Sequence, residues 1–401
     1  MSSSRYGITA DLLVTSGRRI AKPLVVVAGG RIESVASREE AETPRGLETF
    51  DFKDAVLAPG LVDIHIHGGG GHDVMEGEED ALRAIEQHLA RTGVTSYFPT
   101  TVTAPVEATL KSLEKLGAAI ERAQSPGHES QNGRMRAQPV GIHLEGPFIS
   151  HARCGVHPVN DIQAPSVELF ERMWQAAGGH VSVMTVAPEV PGALDLIRTA
   201  AGRGVCVSLG HSDSGLDAAA SAVRNGARHA THTFNAMRPL DHRDPGILGA
   251  VLSDDALTAD IIADGIHVHP DVVRLFLRAK GSDRAVLITD AISATGMGDG
   301  SYRLGSFTVE VKGERCLHNG KLAGSVLTLN HAVRNAMKFG GVTLEDAVKM
   351  ATLNPARAAG VATRNEAGKT IPWKGVIQPG ADADIVVFTR EMEVMRTFAG
   401  A

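Results

Sequence analysis

Histidines and carboxylates carry the chemistry that can be read from this chain. His65 and His67 are two residues apart in an apolar run, a spacing that turns two imidazoles to the same side of a strand. Seventeen histidines in 401 residues make such a pair unremarkable by itself, and His267-Val-His269 is another. The other candidates sit at comparable places. Glu145 follows an apolar run in His143-Leu-Glu-Gly-Pro-Phe148, and His211 follows one in Ser208-Leu-Gly-His-Ser212. His232 lies in His229-Ala-Thr-His-Thr-Phe-Asn235, and Asp290 closes Leu287-Ile-Thr-Asp290. Taken singly, each has an ordinary structural use: a strand-end histidine as a loop residue, an aspartate as a helix cap. A carboxylate such as Glu145 before Gly-Pro is harder to place, because an unpaired charge at the rim of a packed core is costly. Neutral imidazoles and carboxylates together suit zinc or another borderline divalent ion. The set suffices for one or two ions with positions left open for water.

These residues need a frame that brings distant strand ends together. Strand-like runs fall at 61–66, 95–98, 139–144, 181–187, 205–209, 228–232, 258–263 and 285–289. Helix-like segments at 78–91, 105–123, 166–177, 192–201, 215–225 and 270–278 lie between most of them, with further helices at 330–339 and 344–353. Alternation of this kind predicts an α/β fold, a TIM-like (β/α)8 barrel over 59–365, whose C-terminal rim is where such barrels build active sites. Every candidate above falls on that rim. A doubly wound sheet is the competing fold, but neither 68–71 nor 296–300 is a GxGxxG opening a helix. Both chain ends are β-prone: 8–15, 24–28 and 31–35 at one, 375–379 and 385–389 at the other. They predict one small β-sandwich domain built from 1–58 and 366–401.

Composition narrows the function classes. Forty Lys+Arg against 46 Asp+Glu give a net charge of −6, and aromatics are 4%, which argues against a nucleic-acid surface. No apolar stretch is long enough for a membrane span, and the first residues lack a basic-then-apolar leader pattern, so a cytoplasmic location is expected. Cys154, Cys206 and Cys316 are too few and dispersed for a disulfide framework.

The motifs resemble a known family. Ala58-Pro-Gly-Leu-Val-Asp-Ile-His-Ile-His-Gly68 and Gly375-Val-Ile-Gln-Pro-Gly-Ala-Asp-Ala-Asp-Ile-Val-Val387 are similar to signatures of the amidohydrolase superfamily. Within it, the segments at 143–149, 210–212, 231–237, 264–267, 289–295 and 322–325 resemble the N-acetylglucosamine-6-phosphate deacetylases. The resemblance implies hydrolysis of the acetamide of N-acetylglucosamine 6-phosphate, giving glucosamine 6-phosphate and acetate, in amino-sugar catabolism and cell-wall recycling. It implies that Glu145, His211 and His232 hold a common metal, zinc above all or iron or another transition metal. His65 and His67 would hold a second ion, and Asp290 would be both a metal ligand and the catalytic acid/base. His157 and His267 would contact the sugar or acetyl carbonyl. Val156, Asn235, Ala236, Leu322, Ala323 and Gly324 would line the substrate site. Arg243 would reach the phosphate across a homodimer interface, although Asp241-His-Arg-Asp244 also reads as a solvated charged loop. In Arg153-Cys-Gly-Val-His157 a cysteine stands where many relatives have lysine or a close variant of their motif. Cys154 there could ligate metal, sense oxidation, or be an inert small hydrophobe. Other amidohydrolases, such as dihydroorotase-like enzymes, deaminases and dipeptidases, share the frame, and the pocket lining has to separate them. The strand-four run ends Val186-Ala-Pro-Glu189, with no lysine of the kind that bridges two metals when carbamylated. A non-catalytic protein of the same shape would have lost ligands that this chain keeps.

Overall fold

The computed structural model describes residues 5–40, 44–125, 136–366 and 368–399. The expected frame of alternating strands and helices is present. Its strands are β1 (Leu61–Ile66), β2 (Val94–Thr101), β3 (Ile142–Glu145), β4 (Val181–Val186), β5 (Cys206–Leu209), β6 (Ala227–Ala230), β7 (Ala259–Ile262) and β8 (Ala285–Ile288). Strands β1 to β6 pair parallel in chain order, and β7 pairs parallel with β8. Backbone bonds span the two remaining seams. Thr258 N–H donates to the Arg228 carbonyl at 3.0 Å and Thr233 N–H to the Asp260 carbonyl at 2.9 Å. Asp290 N–H donates to the His65 carbonyl at 3.0 Å, beside a parallel bridge between Ile66 and Ala291. The strands are buried on both faces, which explains their continuous apolar runs.

Helices α1 (Glu79–Arg91), α2 (Val106–Gln124), α3 (Val167–Ala176), α4 (Ala193–Gly202), α5 (Leu216–Arg224), α6 (Gly246–Ser253), α7 (Pro270–Lys280) and α8 (Leu329–Gly340) follow the strands. Most match the predicted segments to within a few residues. Helix α6 was not expected: Ile247, Leu248, Ala250 and Val251 are all buried, so it has no polar face and no amphipathic period. A four-stranded antiparallel sheet, Gly300–Leu304, Phe307–Lys312, Arg315–His318 and Lys321–Leu322, was also not expected. It follows β8 and packs Leu304, Val309, Val311 and Cys316 on Val102 and Ile292, above the strand ends.

Two more sheets come from the chain ends. One has the order Arg31–Ser37, Pro23–Ala28, Arg5–Thr9, Glu48–Asp51; the other Val394–Phe398, Ile385–Thr389, Ala55–Pro59, Leu12–Thr15, Arg18–Ala21. The expected single run at 8–15 is two strands, broken at Ala10-Asp11 and divided between the sheets. The expected strand at 375–379 is not formed; that stretch is irregular chain leading into a turn. Strand alternation explains how these sheets are joined to the rest. Leu57, Ile385 and Val387 face a small core with Ile8, Val25 and Val27. Val56, Ala58, Val386 and Phe388 face the opposite way, into the large core of the parallel strands.

The Ala381-Asp-Ala-Asp384 segment reinforces this junction. Lys374 is 1% exposed, and its Nζ donates to Asp382 Oδ2 and Asp384 Oδ2, each at 2.9 Å. Burial lowers the Lys374 pKa, but the two carboxylates outweigh it and hold the ammonium charged. The Asp384 carbonyl accepts from Gly60 N–H at 2.9 Å, just before β1. Only glycine fits at 60, because a Cβ there would lie 2.1 Å from Thr95 Oγ1. Lys374→Met is expected to destabilise the protein by about 3–5 kcal/mol, the cost of removing one partner from a buried ion pair. Urea unfolding of both proteins measures it, and a loss under 1 kcal/mol would contradict this account of the junction.

Candidate active site

The rim of the parallel strands collects the predicted chemistry at one point. His65 and His67 come from the end of β1, Glu145 from the end of β3, His211 and His232 from just past β5 and β6, and Asp290 from just past β8. All six are buried. They form two groups, His65 with His67 and Asp290, and Glu145 with His211 and His232; within each, candidate ligand atoms lie within 4.8 Å of one another. Glu145 is shared between them. Its Oε1 lies 2.8 Å from His232 Nε2, 3.1 Å from His211 Nε2 and 3.4 Å from His65 Nε2. Its Oε2 lies 3.2 Å from His67 Nε2 and 3.4 Å from His157 Nε2. Asp290 Oδ1 is 3.1 Å from His67 Nε2 and 3.6 Å from His65 Nε2.

Neighbouring backbone groups set the tautomers. His67 Nδ1–H donates to the Thr100 carbonyl at 3.0 Å, and His211 Nδ1–H to the Arg153 carbonyl at 2.9 Å. In each neutral ring Nε2 is then a lone pair turned inward, as a metal requires. Nδ1 of His65 and of His232 has no hydrogen-bond partner, so these rings are not held by bonds on their outer side. His157 differs. Thr103 N–H donates to its Nδ1 at 3.3 Å, which leaves the proton on Nε2, facing the site. His157 is thus a hydrogen-bond donor to the pocket rather than a ligand. His267 gives its Nδ1–H to Asp264 Oδ2 at 2.7 Å and offers Nε2.

Backbone strain marks the same residues. His211, His232 and Asp290 have φ of 47°, 29° and 50°, and Phe234 and Ala236 have 81° and 49°. Left-handed backbone costs non-glycine residues about 1–3 kcal/mol each and persists only where surrounding contacts enforce it. Electrostatics points to a cation. Burial alone would raise Asp290, but the hydrogen bond from His67 and the charge of His65 outweigh it and hold the carboxyl at about 2. Burial opposes charge on Glu145 too, yet the surrounding histidines hold it well below the usual range. Burial would lower His232, but Glu145 pushes it up to about 9; His67 is also raised, by Asp290 and Glu145 against burial. His211 goes the other way, to about 4, because burial outweighs Glu145. Two buried carboxylates ringed by imidazoles make a negative site whose charge a divalent ion would balance. The donor set, the inward lone pairs and this imbalance all fit a borderline metal ion.

A cavity of about 140 Å³ opens onto this cluster. Of the expected substrate residues, Val156, His157, Asn235, Ala236, His267, Leu322 and Gly324 line it, as do His67, Glu145, His211, His232 and Asp290. Ala323 does not. It follows the short strand Lys321–Leu322, its N–H donates to the Cys316 carbonyl at 3.1 Å, and it packs with Ile292 and Leu304 in the apolar cluster of the antiparallel sheet. Arg243 is also outside: it is exposed, and its N–H donates to Asp241 Oδ1 at 2.8 Å. Among the described residues no lysine or arginine lines the cavity. Cys154 is half-buried, lies 3.9 Å from the Gly155 carbonyl, and joins neither ligand group. Val102 and Leu304 line the cavity without having been expected there. Thr103, Asp264 and the carbonyls of Thr100 and Arg153 also orient the site; backbone acceptors leave no mark in a sequence.

Comparison with known proteins agrees with the site. Residues 56–400 match the model of the amidohydrolase family. The N-acetylglucosamine-6-phosphate deacetylase of Bacillus subtilis is 36% identical over 386 residues, 96% of this chain and 93% of that protein. The human protein of the same name is 35% identical over 398 residues, covering 96% and 92%. Among solved structures, a mutant N-acetyl-D-glucosamine-6-phosphate deacetylase from Mycobacterium smegmatis, in complex with N-acetyl-D-glucosamine-6-phosphate, superposes with a TM-score of 0.88. It has 32% identity, and the match covers 99% of this chain and 98% of that one. The Pasteurella multocida enzyme gives 0.87 at 30% identity, covering 99% and 98%.

Proposed function

The chain belongs to the amidohydrolase family, among its N-acetylglucosamine-6-phosphate deacetylases, and on that premise we propose the reaction and the part of each residue in it. It is a hydrolase of a C–N bond: it converts N-acetyl-D-glucosamine 6-phosphate to D-glucosamine 6-phosphate and acetate. The observation that carries this is the convergence of Glu145, His211, His232, His65, His67 and Asp290 on one buried point, in a chain alike to such deacetylases over nearly its whole length. The frame is a closed (β/α)8 barrel over 59–365, completed across its two seams, with a β-sandwich domain from 1–58 and 366–401. No helix among the described residues is long and apolar enough to cross a membrane. We place the enzyme in the cytoplasm, where sugar phosphates are held.

Glu145, His211 and His232 hold one divalent ion, and His65 and His67 with Asp290 a second; zinc suits both sets best. When bound, the ion supplies a Lewis acid that polarises the amide carbonyl and lowers the pKa of water to about 7. The protein's own groups do the rest. Asp290 is ionised, so it accepts a proton from the attacking water as the C–O bond forms. It then returns that proton to the nitrogen as the C–N bond breaks, because the amine leaves only when protonated. His157 Nε2–H donates to the oxygen of the tetrahedral carbon, and His267 orients the sugar. Val156, Asn235, Ala236, Leu322 and Gly324 shape the pocket, and Leu304 and Leu322 of the antiparallel sheet bound one side of it.

Among the described residues no lysine or arginine lines the cavity to meet the phosphate, and Arg243 of a second copy supplies the charge in a homodimer. Its forked guanidinium suits a phosphate better than lysine would. Arg243→Ala should then raise KM for the phosphorylated substrate at least ~10-fold, the loss of one charge-assisted pair. The slow reaction of unphosphorylated N-acetylglucosamine should hardly change. Equal effects on both substrates would remove Arg243 from phosphate binding.

A further inference from the structure

We propose that Glu189 is a positioning residue for His211, acting through its bonds to Ser212 and Asp213, two members of a ring of contacts that Arg153 closes on His211. The inference rests on the reading of His211 as a metal ligand. Glu189 lies just past β4, half-buried, and does not line the cavity. Both of its oxygens are engaged by the two residues that follow His211. Ser212 Oγ–H donates to Oε2 at 2.8 Å, and Asp213 N–H donates to Oε1 at 2.6 Å. Asp213 Oδ1 in turn accepts from Arg153 Nε–H at 2.8 Å. The Arg153 carbonyl then accepts from His211 Nδ1–H at 2.9 Å, which closes the ring on the ligand itself.

This ring controls two properties a ligand needs. It holds the chain past His211 while that residue has a φ of 47°, a conformation it would otherwise leave. It also fixes the carbonyl that selects the Nδ1–H tautomer and turns the Nε2 lone pair inward. Glu189 bonds to both Ser212 and Asp213, so it clamps together the two residues that follow His211. Ser150 N–H donates to the His211 carbonyl at 2.9 Å, so the segment carrying Arg153 and His157 is tied to the same ring.

The test measures metal binding apart from turnover. Zinc affinity is read by competition with a chromophoric chelator, and ligand geometry by the visible spectrum of the cobalt(II)-loaded protein. Glu189→Ala should raise the zinc Kd at least ~10-fold and alter the cobalt spectrum, the scale seen when groups behind metal ligands are removed. Glu189→Gln should restore both to near the original, because its oxygen still accepts from Asp213 N–H while its amide donates to Ser212 Oγ. Should Glu189→Ala fail to fold, Ser212→Ala removes the bond to Glu189 Oε2 and keeps the carboxylate in place, and a raised Kd is again expected. An unchanged Kd and spectrum in whichever of these is folded overturns the proposal, as does an equal loss in Glu189→Gln. His211→Ala serves as the control: zinc bound as tightly as before would refute the ligand reading itself, whatever Glu189 does.

Discussion

Replacing Asp290 by asparagine is expected to lower kcat by at least ~10²-fold while KM for N-acetylglucosamine 6-phosphate moves little. The two side chains have the same shape, so packing around position 290 should survive. The carboxylate has charge where the amide has none, and it alone can take and return a proton. Asp290 is placed for this: its Oδ1 is 3.1 Å from His67 Nε2, and the residue lines the cavity. A general acid–base group contributes to the transition state and not to ground-state binding, so the loss belongs in kcat. Steady-state kinetics with saturating zinc separates the two. A drop below tenfold would move the proton to another residue, and a loss confined to KM would make Asp290 a binding group.

Replacing Glu145 by alanine is expected to weaken metal binding more than any other single change. The carboxylate is the shared centre of the cluster, touching five histidines through its two oxygens. Without it, His211 and His232 lose their common partner, and the pocket gains a void where a charge stood. Zinc affinity should fall by more than ~100-fold, beyond the range for groups that only orient a ligand. Activity should follow the metal content of the purified protein. Metal analysis after gel filtration checks this; a Glu145→Ala protein that keeps its full zinc complement would contradict the proposed ligand set. Losing activity while keeping zinc would instead make Glu145 part of the chemistry.

Most of the frame and its reactive residues could be read from the sequence because buried parallel strands write continuous apolar runs, and the reactive side chains stand at their ends. His65 and His67 were visible for that reason, and so was Glu145, whose charge has no structural use at the end of a buried parallel strand. Parts with no such signature were not visible. Helix α6 is apolar on all sides, so its period is hidden. The sheet from Gly300 to Leu322 is made of short strands between glycine turns, although Phe307–Lys312 does alternate buried and exposed side chains. The left-handed turns at His211, His232 and Asp290 are set by tertiary bonds, since no glycine stands there to announce them. Ala323 was placed in the pocket with its neighbours because a motif carries no facing; its side chain packs in the apolar cluster under the antiparallel sheet. Glu189 had a weak signal, a carboxylate after Ala-Pro at a strand end, and only the bonds to Ser212 and Asp213 give it a use.

The central claim is most directly tested by acetate release from N-acetylglucosamine 6-phosphate, with unphosphorylated N-acetylglucosamine beside it, before and after removal of metal by a chelator. The account predicts rapid release from the phosphate ester alone, abolished by the chelator and restored by zinc. Release from neither substrate by the zinc-loaded protein would contradict it, leaving the metal-binding frame to serve a different amide.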